Sequence, residues 1–236
     1  MNLDALFATY YTLYRVEAQI PNSQDDEYII FTALSTEAIS RWANYDNTFW
    51  KELFDTNQAD GSGDTQLAVG QTEYQAPSNF RAAGGYLRVF DSTGTTQRRI
   101  KIIEPQDVQF QADTASYCWF RGDPNNGFTL VLNPEPDAML DGMNFDYTYY
   151  KAPDLLAAGS DLPQMSQPMF IVHRCLANRF RGSRNPFYTS AKGDAEDILK
   201  TMQMENNSGN WADPWALADH TGGRFGVGTS PGGFFD

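Results

Sequence analysis

The stretch Phe49-Trp50-Lys51-Glu52-Leu53-Phe54, followed by the break Asp60-Gly61-Ser62-Gly63-Asp64, separates two kinds of patterning in this chain. Before it, apolar residues recur at steps of three and four. Leu3, Leu6, Tyr10 and Leu13 make one stripe, and Phe31, Leu34, Ala38, Trp42 and Tyr45 make another. That period predicts amphipathic helices over 3–16 and 25–45. Asn2 can cap the first, and Ser23, followed by Asp25, Asp26 and Glu27, suits the start of the second. Phe49, Trp50, Leu53 and Phe54 read as a short further helix that plugs the bundle where the chain leaves it.

Beyond the break the period shortens. Runs rich in β-branched and aromatic residues follow at 67–69, 86–90, 99–103, 108–111, 116–121, 127–132 and 145–151. Turn chemistry divides them, as in Ser92-Thr93-Gly94 and Asp123-Pro124-Asn125-Asn126-Gly127. After Ala157-Ala158-Gly159-Ser160 the helical period returns. Ser166 is positioned to cap the stripe Met169, Val172, Leu176, Phe180, which Gly182 ends. Asn185-Pro186 then opens a last helix carrying Tyr188, Ala191, Ala195, Ile198 and Met202. Gly193 inside it costs about 1 kcal/mol relative to alanine, which suggests a close backbone approach there.

Helices so distant in sequence bury their stripes against each other. The expected fold is α+β: a discontinuous helical bundle from residues 1–58 and 160–206, an inserted antiparallel β domain over 64–153, sandwich or barrel, and an extended C-terminal tail over 207–236. The tail holds seven glycines and the aromatics Trp211, Trp215, Phe225, Phe234 and Phe235. It has too little regular apolar surface for its own core, yet more aromatics than a linker needs. A docking segment that orders on a partner satisfies both facts.

Seventeen basic and 30 acidic residues give a net charge of −13. Residues 1–54 hold 8 acids and 3 bases, whereas 154–205 are balanced at six of each because of Arg174, Arg179, Arg181 and Arg184. Tight binding to nucleic-acid phosphates needs a basic face, so the balance argues against it; an acidic wall lets a duplex pass without sticking. The arginines read either as solvated helix-end charges or as forks for carboxylates of a neighbouring subunit. No run approaches the roughly 20 apolar residues of a membrane span, and no secretory leader is recognisable at Met1-Asn2-Leu3-Asp4.

Catalytic apparatus is not evident. Asp194, Glu196 and Asp197 are spaced for a solvated helix face rather than an acid–base pair. GxSxG is absent, and Gly222-Gly223-Arg224-Phe225-Gly226 lacks the strand and helix that a phosphate cradle needs. His173 reads as a packing residue or one that makes an inter-subunit hydrogen bond, and His220 has no assigned role. With no CxxC pair, the expectation is no metal and no cofactor, with Cys118 and Cys175 as buried free thiols.

A resemblance joins these pieces. The tryptophan-bearing text Ala38–Trp42 and Phe49-Trp50-Lys51-Glu52-Leu53 comes first. The strand start Gly70-Gln71-Thr72-Glu73-Tyr74-Gln75-Ala76-Pro77-Ser78-Asn79-Phe80 follows, with Ala76 where leucine is usual. Then come Leu130-Val131-Leu132-Asn133-Pro134-Glu135-Pro136, Tyr149-Tyr150-Lys151-Ala152-Pro153-Asp154-Leu155, Asp161-Leu162-Pro163 and the run from Ala191 to Met202. In this order, over residues 3–205, they resemble the head-to-tail connector (adaptor) proteins of tailed bacteriophages; the tail lies outside the pattern. The resemblance implies a non-enzymatic virion protein of the neck, assembled in the host cytoplasm. Its copies would form a ring, usually a dodecamer, under the portal protein and above a downstream tail or neck protein, with DNA passing through. The aromatic content also fits a carbohydrate-binding, tail-associated recognition module, the alternative expectation.

Overall fold

The computed structural model describes residues 1–14, 25–57, 65–112, 115–181 and 187–207. Helix α1 spans Leu3–Tyr14 and α2 spans Asp26–Ala43. Asn2 caps α1 through its Oδ1, which accepts from Ala5 N–H at 3.0 Å. Asp25 occupies the α2 cap position without a side-chain capping hydrogen bond, and Ser23 lies outside the described residues. Helix α3, Met169–Arg179, starts after Pro168 with no side-chain cap, so Ser166 does not serve as one. Helix α4 covers Phe187–Asn207; Gly182, Asn185 and Pro186 are outside the described residues.

Helices from both ends of the chain share one core. Leu6 and Tyr10 of α1, Phe31 and Trp42 of α2, Ile171 and Cys175 of α3, and Leu199 and Met202 of α4 are buried together in it. Each fully buried large apolar side chain contributes about 1.5–3 kcal/mol. Gly193 is exposed on α4, and a methyl group there would meet nothing within 4 Å, so no close approach explains it.

The expected helix over 49–54 is replaced by two 3-10 turns, Tyr45–Asn47 and Lys51–Leu53, and a strand, β1, Phe54–Asn57. Backbone pairing decides it. β1 forms an antiparallel ladder with β8, Asn144–Lys151, in the register Phe54↔Tyr150 to Asn57↔Tyr147. The other strands are β2 (Glu73–Gln75), β3 (Phe80–Ala83), β4 (Tyr86–Phe90), β5 (Thr96–Ile102), β6 (Tyr117–Asp123) and β7 (Gly127–Asn133).

They form one curled sheet in the order β1-β8-β4-β5-β6-β7-β2, with β3 also paired to β8. The sheet is mixed rather than antiparallel, because β5 and β6 run parallel through Lys101↔Tyr117 and Ile102↔Cys118. The crossover between them carries a 3-10 segment, Pro105–Phe110, where a strand was expected at 108–111. Pro105 lacks an N–H for a ladder and suits the first turn of a helix. Residues 67–69 likewise form no strand; Gln66 makes only an isolated bridge to Asn144.

The segment from Thr65 to Tyr74 joins the two margins of the curl. Phe145 N–H donates to Thr65 O at 2.9 Å on the β8 side, and Leu132 N–H donates to Thr72 O at 2.9 Å on the β7 side. The concave side is a second core of Leu67, Tyr74, Leu87, Val89, Cys118, Leu130, Phe145, Tyr147 and Tyr149. Cys118 and Cys175 are both buried and free, and burial pushes both thiols up. Among the described residues, no helix is long and apolar enough to cross a membrane.

Since Gly193 is in open space on a helix surface, Gly193→Ala is expected to stabilise the protein by about 0.5–1 kcal/mol. Urea unfolding measures it, and a loss of stability would mean that the position is packed.

Candidate interaction surfaces

The arginines of α3 turn inward, toward α2. The Arg179 guanidinium donates to Glu27 Oε1 at 2.8 Å and lies against the Tyr14 ring, 5.4 Å from its centroid. The hydrogen bond with Tyr14, aided by the charge of Glu27, raises Arg179 above the usual guanidinium value. Arg174 lies 3.9 Å from Glu37 Oε1, one and a half turns nearer the start of α3. Two of the four arginines singled out in the sequence therefore meet carboxylates of their own chain. Arg181 is exposed, and Arg184 is outside the described residues. So are Trp211, Trp215, Phe225, Phe234 and Phe235, together with His220.

His173 Nδ1 stands 3.6 Å from an Asp194 carboxylate oxygen across the α3–α4 contact. Glu196 pairs with Arg41 of α2 at 2.7 Å, and Asp197 is exposed. The three α4 acids thus diverge to different neighbours, which is the arrangement of a charged helix surface. An open polar groove of about 790 Å³ runs beside them, lined by Glu37, Ser40, Arg41, Asn44, Asp46 and Arg174. Its charges are of both signs: Arg174 faces Glu37 within it, Arg41 pairs with Glu196 of α4, and Asp46 accepts from Gln203. Among the described residues no three or more His, Cys, Asp or Glu side chains gather as a metal site would require.

Strong charge segregation appears at two other places. One is the end of the bundle where α1 begins. Leu3 N–H donates to Asp161 O at 2.9 Å and Asp4 N–H to Gly159 O at 3.1 Å, tying the loop over 157–162 to the helix. A Cβ on Gly159 would run into the Asp4 carboxylate, so a larger residue there would require the Asp4 side chain to move. Tyr28 donates to Asp4 Oδ1 at 2.7 Å. Its hydroxyl is pushed up to about 12 by burial first, then by that bond and the charges of Asp4 and Asp161. Asp161 accepts from the Ala157 and Ala158 N–H groups at 2.8 and 2.7 Å, which hold it below the usual carboxylate range.

Residues 1–14, 25–40 and 152–173 contain no lysine or arginine, while Asp4, Asp25, Asp26, Glu27, Glu37, Asp154 and Asp161 all fall within them; of these, Glu27 and Glu37 face Arg179 and Arg174 of α3. The exposed apolar side chains Met1, Ile29, Leu155 and Leu162 lie in the same segments.

The second place is the β4–β5 hairpin. Residues 86–101 carry Arg88, Arg98, Arg99 and Lys101 against one acid, Asp91. Ile100 and Ile102 point into the core, so Arg99 and Lys101 face outward, and Arg98 is exposed beyond the last core residue. On β4, Arg88 pairs with Asp146 of β8 and its guanidinium lies 4.7 Å from the centroid of Phe90. This hairpin is not among the charged segments singled out from the sequence. The run Gln97-Arg98-Arg99-Ile100-Lys101 was its visible signal, diluted by counting charge over long segments.

No protein-family model and no curated protein matches the chain.

The arginine geometry separates a structural role from a surface one. Arg179→Ala leaves Glu27 partly buried without its cation, so a loss of about 1.5–3 kcal/mol is expected. Arg181→Ala is expected to change stability by less than about 0.5 kcal/mol. Thermal or urea unfolding of the two variants checks both, and equal losses would contradict this assignment.

Proposed function

We propose that this chain is a structural virion protein, a head-to-tail adaptor. In this reading copies of it form a ring beneath the portal, linking the capsid to a downstream tail or neck protein around the DNA channel. The observation that carries it is the ordered set of segments resembling connector proteins, taken with the way the fold uses them. The helix-ending text at Trp42 and Phe49-Trp50, the Tyr149-Tyr150 pair and Asp161-Leu162-Pro163 are where helices, sheet and connecting loop are tied together. Several short motifs that coincide with one framework favour a shared architecture over a shared catalytic site.

Charge supports the same reading. An acidic protein can surround DNA without retaining it, because like charge disfavours lasting phosphate contacts. The tail with its five aromatics supplies the clamp onto the portal or a neighbouring subunit, and repetition around a ring strengthens weak individual contacts. The carbohydrate-binding alternative would draw on the sheet aromatics. Tyr74, Phe80, Phe145, Tyr147 and Tyr149 are buried in the sheet core, so they form no open stacking platform, and we favour the connector.

Negative-stain imaging of the full chain mixed with the portal protein of the same genome tests the reading. The expected result is a coaxial layer of density beneath the portal, lost when the chain ends at Asn207. No added density, together with absence of the chain from purified virions by mass spectrometry, would overturn it. A truncated chain that still docks would remove only the role given to the tail.

A further inference from the structure

Two hollows meet at the last turn of α2, where they share Ser40 and Asn44. One is the open polar groove beside α4. The other, of about 290 Å³, lies where the bundle meets the sheet, and its walls are Ala43, Phe80, Pro124, Phe128 and Pro153. Among the described residues Arg81 is its one charged group. The bonds from Arg81 to the Ala43 carbonyl and to Asn44 Oδ1 go to neutral acceptors.

Helix α4 ends beside these hollows. Gln203 donates to Asp46 Oδ2 at 3.3 Å, on the lining of the polar groove, and Asn206 accepts from Lys51 N–H at 3.0 Å. The neighbouring Trp50 N–H donates to the Tyr150 hydroxyl at 3.3 Å, and the Arg81 guanidinium lies 5.5 Å from the Tyr150 ring centroid. Joined end to end, these contacts put Arg81 within roughly 20 Å of Asn206. The chain continues past Asn207 as Ser208-Gly209-Asn210-Trp211-Ala212-Asp213-Pro214-Trp215. Over the eight residues from Asn207 to Trp215 it can reach about 26 Å, at about 3.3 Å per residue, and Trp211 has half that reach. Residues 208–219 hold Asp213 and Asp219 and no lysine or arginine.

We propose that the apolar hollow between α2 and the sheet is a docking site for the chain's own tail, with Trp215 seated in it and Asp213 beside Arg81. An indole supplies the large apolar contact that such walls can cover. Pro214 confines Asp213 to extended backbone, which lowers the entropy lost on seating the tryptophan. The tail is the occupant because it begins next to the hollow and carries an aromatic flanked by acids to a site with one cation. Tethering keeps its effective concentration high, so a weak contact suffices. The contact goes beyond the adaptor reading and does not rest on it. A portal or neighbouring subunit that takes the tail must first displace it from this site.

Fluorine NMR of the full chain labelled with fluorotryptophan tests this without any portal. Loss of a signal in Trp215→Phe identifies Trp215, and a soluble gadolinium chelate probes its exposure. The expected Trp215 signal is displaced from that of a peptide of residues 208–219 and is broadened severalfold less by the chelate. Pro124→Glu sets an acid at an exposed wall of the hollow, and Ser40→Tyr fills it from the exposed side of α2. Each is expected to return the signal to the peptide position while the Trp42 and Trp50 signals stay in place. The two changes lie on different elements, so if one variant fails to fold the other decides. About tenfold dilution is expected to leave the wild-type signal unmoved, because a tethered contact does not depend on concentration.

A Trp215 signal broadened as strongly as the peptide's would overturn the proposal. So would a protected signal that neither substitution moves. A signal that dilution returns to the peptide position would put the tail on a second copy and contradict a contact within one chain. Portal docking is read in a separate experiment, so either proposal can fail alone.

Discussion

Strand β8 serves two cores at once, and the rest of the molecule is arranged around that constraint. A strand points alternate side chains to opposite faces. Phe145, Tyr147 and Tyr149 fill the concave side of the sheet, and Tyr150 turns the other way into the helices. Its hydroxyl lies 3.3 Å from the Trp50 N–H that donates to it and 3.4 Å from the Thr48 carbonyl that accepts from it. Phe49 and Phe54 pack on its ring at 5.3 and 5.5 Å, and the Arg81 guanidinium lies 5.5 Å from the ring centroid. Arg81 also donates to the Ala43 carbonyl at 3.2 Å and to Asn44 Oδ1, placing a cation at the negative end of α2.

Around this residue the chain's two ends are locked. Trp50 Nε1 donates to the Trp42 carbonyl at 2.7 Å, and the indoles lie 5.4 Å apart. Asn206, buried near the end of α4, accepts from Lys51 N–H at 3.0 Å and donates to the Phe49 carbonyl at 2.9 Å. An irregular segment, 45–53, is thereby satisfied by side chains from α4 and β8 instead of by a ladder of its own. Buried backbone groups without partners would cost about 1–3 kcal/mol each. Through Tyr150 the sheet and the helical bundle are therefore packed together at one strand.

The helices were legible because their apolar residues keep a 3–4 spacing over three or more turns, and β4, β6, β7 and β8 because aromatic and β-branched residues cluster between turn signals. What the sequence hid was decided by partners far along the chain. Phe49, Trp50, Leu53 and Phe54 are spaced as well for a helix as for anything else, and only Tyr150, about a hundred residues on, draws Phe54 into a strand. β2 and β3 span three and four residues, too short for a period to register. Nothing in the crossover from β5 to β6 announces that the two strands run parallel. The partners of Arg174 and Arg179 show the same limit, since Glu37 and Glu27 precede them by more than 130 residues. The basic hairpin was readable, because four cations within sixteen residues is a local signal.

The measurement that bears most directly on the shared-strand account is hydrogen exchange on Tyr150→Ala, followed at amides of both modules. Truncating a buried aromatic costs about 3–5 kcal/mol. The account predicts that amides of α3 and α4, such as Ile171 and Leu199, lose protection together with Leu87 and Leu130 of the sheet. Loss confined to the helices, with sheet amides as protected as in the wild type, would mean that the two cores are independent and that Tyr150 does not join them.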